Sequence, residues 1–320
     1  MFLRRIAESI RNNPNISEKK EINPIVQYID KNSFKSLKIF TDIGEDSASI
    51  EDNEKLVLVT TDRIQTSFIE NFPFGAGFSS ILVSVDDIYA CGGTPLAASI
   101  IISVKDSKGC NEILRGICEG SNKFQVPIIR GHTNVRSECF ELSSTMIGEI
   151  NKSDYISAGG AQVDDDIILV VDFDGKIGKA SKLYYDTTTF KSSQEVLEKR
   201  KAMNIIALKH LANASKDVSN GGVFGTILQM IKYSEVGADI SVKDIKIPPI
   251  LVDNRYNLET YIKMYLTTSF IISTPTINSD KAIEVFGEHK MNAQVIGKII
   301  RQKNLLKIND GTKSIEVLRF

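Results

Sequence analysis

Apolar positions along the chain follow two periods. Phe2, Ile6 and Ile10 fall at i, i+4 and i+8, the spacing of one helix face, so a helix is expected over 2–12, broken at Pro14 and Asn15. A second helical piece is expected over 22–30. Short runs rich in β-branched residues then replace that spacing. Residues 37–40, 48–50 and 56–61 read as strands, with Asp52 and Asn53 in the turn between the last two. Beyond a loop holding Pro73, Gly75 and Gly77, helical spacing returns in Phe78, Leu82, Val85 and Tyr89, and Gly92-Gly93 ends that helix. The wholly apolar run 96–104 reads as a strand, 110–124 as a helix, 127–134 as a strand feeding a glycine turn, and 142–147 as a further strand.

This alternation closes at 152–160, where Ser, Asp and Gly-Gly mark a change of unit. A second α/β unit follows. Its strand IILVVDF ends at the Asp174-Gly175 turn, and 193–213 reads as a helix. In 217–237, Phe224, Ile227, Leu228 and Ile231 fall on one helical face, with Gly237 placed as the residue that stops the helix. After the break at Pro248-Pro249, 261–274 gives a short helix and the strand SFIIST, and 292–300 a last strand. The expected fold class is therefore α/β (α+β), in two domains, 1–152 and 153–320.

Composition narrows the functional classes. The 320 residues carry 39 Lys+Arg against 40 Asp+Glu, a formal net charge of -1, so no global basic field for nucleic acid exists. The longest apolar runs are too short to span a bilayer, and MFLRRIAESIRNN lacks the apolar core and cleavage site of a signal peptide. Four cysteines without a CxxC pair fit reduced thiols in a cytoplasmic protein.

Acids stand at the edges of apolar elements in three separate segments: Glu45 and Asp46, then Asp62, then Asp86 and Asp87. Desolvating a carboxylate costs several kcal/mol unless it is paired or metal-bound. Convergence of these acids points to a hard-cation site, with Mg²⁺ held partly by carboxylates and partly by substrate phosphates. The run DVSNGG adds Asp217, with Asn220, Gly221 and Gly222 at a helix start, where backbone N–H groups can approach an anion; simple capping by Asn220 is the competing reading. In Arg130-Gly131-His132-Thr133-Asn134, His132 could touch phosphate, act as a base or sit as an ordinary loop histidine. For Lys19 and Lys20 a solvated charge pair is favoured over phosphate contact. No GxxxxGK[ST] loop, GxGxxG turn or GxSxG elbow occurs.

Taken in order, GEDSA, LVLVTTD, VDDIYACGGTPLA, IIRGHTN, STMIGEI, DDDIILVVDFDG, DVSNGGVFGTILQMIKYSEVGADI, SFIIST and AQVIGKI resemble the aminoimidazole ribonucleotide (AIR) synthetase superfamily, over almost the whole chain. The resemblance implies an N-terminal ATP-binding and dimerisation domain whose sheet forms an intersubunit β-barrel with a twin, and a C-terminal α/β domain. It implies ATP in a long cleft, its phosphates bridged by Mg²⁺ to acids. Asp46, Asp62, Asp87 and Asp217 match the metal-handling positions, and Glu45 stands where an Asp is commoner. Arg63, Gly131, Thr133, Asn220, Gly221 and Gly222 are expected to contact nucleotide or acceptor, and Asp62, His132 and Asn134 to serve the chemistry.

Departures from the pattern sort the subgroups. Thiamine-monophosphate kinases carry GGDT where this chain has Arg130-Gly131-His132-Thr133, so one expected acid is missing. No cysteine precedes Cys91, as selenide chemistry would require, and the chain ends IEVLRF with no terminal cysteine of the hydrogenase-maturation type. AESIRNNPNISEKKEI and the GHTN turn are most similar to the AIR synthase-related branch that includes archaeal methanogenesis markers. The expectation is a cytoplasmic, homodimeric, Mg-ATP-dependent phosphoryl-transferring or ligase-like enzyme acting on a small molecule. Kinase-like or selenophosphate-synthetase-like activity, a non-catalytic nucleotide-binding scaffold, and a dimer that binds no nucleotide remain the alternatives.

Overall fold

The computed structural model describes residues 2–105 and 110–319. Strands Ile39–Thr41, Ala48–Asp52, Lys55–Arg63, Thr94–Ser103, Ile128–Asn134 and Glu141–Asn151 form one six-stranded sheet. Strand Thr94–Ser103 pairs in parallel with Ile128–Asn134 and antiparallel with Glu141–Asn151, and helix Asn111–Phe124 is the crossover between the parallel pair.

A seven-stranded sheet occupies the second half. Its strand Asp166–Val171 is buried at every position, as expected of a strand covered on both faces. Ile168 and Val170 face a core shared with helices Pro73–Ala90, Asn111–Phe124 and Ser193–Leu208. Ile167, Leu169 and Val171 face a second core, which includes helix Gly222–Tyr233. The helices between the sheets thus weld the two halves through one hydrophobic layer.

Several elements depart from the expected pattern. Pro14 does not end the helical arm. Its missing N–H is tolerated in a first turn, and it opens a new helix, Pro14–Glu21. Gly75 and Gly77 lie inside helix Pro73–Ala90, which starts five residues before the expected face. A Cβ on Gly77 would meet the Ile113 carbonyl at 2.1 Å, and one on Gly116 the Phe74 carbonyl at 2.0 Å. Both glycines therefore let two helices cross with their backbones in contact. Gly131 makes no turn: its strand continues through it to Asn134, and a Cβ there would lie 2.7 Å from the Ile100 carbonyl. Gly237 opens strand Gly237–Ser241, while helix Gly222–Tyr233 ends at Ser234.

Asp86 and Arg200 join the halves covalently distant but in contact. Arg200 is fully buried and donates from Nε to Asp86 Oδ1 at 2.8 Å. Thr268 N–H donates to the other oxygen of that carboxylate at 3.2 Å.

Candidate functional site

Strand Lys55–Arg63 brings Asp62 to the inner face of the first sheet, where Ser84 Oγ donates to it at 2.8 Å. Helix Pro73–Ala90 carries Asp87 one residue beyond the Asp86 clamp, and Thr60 Oγ1 donates to Asp87 at 2.5 Å. Asp46 arrives on the turn after Gly44, whose φ of +100° and contact with the Tyr233 ring leave no room for a side chain. The second half holds Asp46 in place: Lys216 Nζ pairs with one carboxylate oxygen, and the Asp217 N–H donates to the other at 3.1 Å. Asp217 itself ends the buried strand Ala214–Asp217.

Oxygens of Asp46, Asp87 and Asp217 all lie within 4.8 Å of one another, and Asp62 hydrogen-bonds to Asp87. Burial, reinforced by the Asp62, Asp217 and Asp46 charges, pushes Asp87 well above the ordinary carboxylate range. Burial and the Asp46 charge do the same to Asp217. Burial also raises Asp62, against the opposing hydrogen bonds from Ser84 and Asp87. Burial alone would lower Lys216, yet the Asp46 carboxylate overrides it and holds the ammonium charged. Crowded, desolvated acids of this kind are relieved by a hard cation with oxygen preference, so the donor set fits Mg²⁺.

Lys19 is the residue that sequence reading missed. Helix Pro14–Glu21 lies across the glycine turn: Asn13 Nδ2 donates to the Gly221 carbonyl at 3.4 Å. Lys19 sits half-buried, donates to Gln229 Oε1 at 2.7 Å, and would lie 3.4 Å from a Cβ on Gly221. Burial, then the Lys216 charge, lowers it, while the Asp217, Asp46 and Asp87 charges pull the other way. It is therefore no solvated charge; the signal was Ile16, three residues earlier on the same helix face and 2 % exposed. The Lys20 side chain lies outside the described residues.

The remaining expected residues are placed elsewhere. The Glu45 carboxylate turns from the cluster and accepts from Ser157 Oγ and Ala158 N–H, both at 2.6 Å. Gly222 N–H is spent on the Ser219 carbonyl and Val223 N–H on the Ile262 carbonyl, so the helix start offers fewer free donors than its sequence implies. Asn220 is exposed beside it. Strand register settles His132 and Arg63. Asp62 aligns with Ser144, Ile100 and Gly131, whereas Arg63 aligns with Ser143, Ile101 and His132. Adjacent residues in a strand point to opposite faces, so Arg63 and His132 project on the outer side of the sheet from the acids. His132 is also three strands away from Asp62, roughly 14 Å at ordinary strand spacing. Thr133 and Asn134 continue the same exposed edge strand.

The arrangement defines a two-domain α/β protein with an acid cluster drawn from both halves. Residues 44–150 match the AIR synthase related protein N-terminal domain, and 175–306 the corresponding C-terminal domain. The chain belongs to the AIR synthase-related family, as its motifs indicated. It is 32% identical over 322 residues to an uncharacterized protein of Methanocaldococcus jannaschii, covering 100% of this chain and 98% of that one. It is 26% identical to a thiamine-monophosphate kinase of Buchnera aphidicola subsp. Schizaphis graminum, covering 91% and 89%. A solved ThiL complexed with AMPPCP and TMP shares the fold at a TM-score of 0.68 and 19% identity, over 93% of this chain and 97% of that one. The chain spans about half the length of the T. maritima PurL chains whose fold it also shares, 46% of the one complexed with ADP at a TM-score of 0.71 and 14% identity.

Proposed function

We propose that the protein is a Mg-ATP-dependent enzyme that transfers the γ-phosphoryl group to an oxygen of a small molecule. The observation that carries this reading is the convergence of Asp46, Asp62, Asp87 and Asp217, with two buried or half-buried lysines beside them. The similarity to a thiamine-monophosphate kinase supports the same chemistry. Asp46, Asp87 and Asp217 would hold the metal, which when bound supplies charge neutralisation at the phosphates. Asp62 shares a hydrogen bond with Asp87 and orients it. Lys19 and Lys216 set positive charge on two sides of the acids and would stabilise phosphate oxygens as charge develops. Ile16, buried 3.7 Å from a Cβ built on Gly221, packs the helical arm over the glycine turn and would limit water there.

We further propose a homodimer built on the outer face of the first sheet. That face carries Ile50, Val57, Val59, Ile147 and Ile101 in register, and Ile147 and Ile101 are 36% and 43% exposed. Apolar rows on a sheet face call for a covering layer.

Calorimetric titration of ATP with Mg²⁺ and then with EDTA tests the reading: binding that requires the metal is expected, and binding indifferent to EDTA would sink the metal assignment. Asp62→Asn is expected to weaken Mg-dependent ATP binding at least ~10-fold with the fold intact, a loss of about 1.4 kcal/mol.

A further inference from the structure

A cleft of about 590 Å³ opens between the N-terminal helical arm and the segment 259–263, outside the acid cluster. It is large enough for a small metabolite, and most of its lining residues carry polar or charged side chains. Arg5 and Glu259 neutralise each other across it at 2.8 Å. What remains is one unpaired cation, one unpaired anion and several hydrogen-bonding groups. Lys263 lines the cleft half-buried, and among the described residues its ammonium has no partner. The Glu8 carboxylate, on helix Phe2–Arg11, likewise has none among the described residues. Ser9 Oγ is buried at the wall, also without a hydrogen-bond partner among the described residues. A buried hydroxyl left unsatisfied is a cost that a ligand removes.

Two cleft residues are close in sequence to a pair of stacked tyrosines. Lys263 precedes Tyr265 by two residues, and Leu183, also at the cleft, immediately precedes Tyr184. Tyr184 and Tyr265 pair in parallel strands and stack with ring centroids 5.8 Å apart. Burial, then the charge of Asp217, raises the Tyr265 phenol, so this ring stands within electrostatic reach of the cluster.

We propose that this cleft seats the second substrate, a zwitterionic small molecule of the amino-acid class, with its carboxylate on Lys263 and its ammonium on Glu8. Charge-assisted hydrogen bonds of both signs, set in one cleft, select a ligand that carries both charges over one that carries either alone. The role as substrate rests on the Mg-ATP reading; occupancy of the cleft does not.

The test is calorimetric titration of the twenty free amino acids, one at a time, into the nucleotide-free full chain, with acetate and ethylammonium as single-charge controls. At least one amino acid is expected to bind more than 10-fold tighter than either control and to stimulate ADP formation from Mg-ATP. Lys263→Ala and Glu8→Ala are each expected to weaken that binding at least 10-fold, with melting temperature unchanged. No amino acid binding while Mg-ATP binds would overturn the cleft assignment and leave the nucleotide reading standing. Acetate binding as well as any amino acid would overturn the zwitterion class. Binding without stimulated ADP formation would overturn the substrate role. Amino-acid binding in a protein that binds no Mg-ATP would leave the cleft occupied and remove the phosphoryl-transfer reading instead.

Discussion

Asp87 carries the sharpest conflict at the scale of single residues. Its carboxylate is held above its ordinary range by burial and by three neighbouring acids, so its charged form destabilises the metal-free fold. The linkage sign follows: the folded state binds more protons than the unfolded chain between the ordinary value and the raised one. Stability of the metal-free protein therefore falls as pH rises through that window, by about 1.4 kcal/mol for each pKa unit. Asp87→Asn is expected to raise the melting temperature at neutral pH without Mg²⁺ while abolishing Mg-dependent ATP binding; a lower melting temperature would show that the charge is already compensated. Mg²⁺ affinity should strengthen from pH 5 to pH 8, because the ligands must lose protons to bind; a flat calorimetric profile would contradict the raised values. The acids themselves were legible in the sequence, because short polar residues at the ends of apolar runs announce themselves. Glu45 and His132 were less so. One is drawn off by an N–H and a hydroxyl more than a hundred residues away, the other is turned outward by strand parity, and local pattern encodes neither.

At the scale of elements, glycine was the least readable residue. Gly77 sits in a stretch that reads as a loop, because its role depends on a second helix that the local pattern does not contain. Gly77→Ala would drive a methyl into the Ile113 carbonyl, and chemical denaturation should show a loss of about 3 kcal/mol; a loss below about 0.5 kcal/mol would mean the helices part freely. Strands and long amphipathic helices, by contrast, appeared close to where their periods put them. Helix Ser193–Leu208 even carries a full capping box between Ser192 and Glu195, a start signal written entirely in adjacent sequence. Helix Pro14–Glu21 was hidden by its proline, and with it went Lys19.

For the whole molecule, the proposed homodimer rests on the outer face of the first sheet. Ile147→Asp places a charge among apolar rows, and sedimentation is expected to show monomers; an unchanged mass would move the dimer contact elsewhere. The seam within one chain is set by Arg200. Removing one partner of a buried pair costs about 3–5 kcal/mol, so Arg200→Ala should lower the unfolding free energy by that amount in denaturant melts. Asp86, its partner, is the direct chain neighbour of Asp87. A hinge that opened the two halves would have to strip a guanidinium of its counter-ion in a dry interior, and would drag the neighbouring carboxylate of the acid cluster along. Arg200 and Asp86 thereby clamp the two halves into one fixed frame around the acids, and the arm, rooted by Ile6, Ile10 and Ile16 in the second core, belongs to that frame.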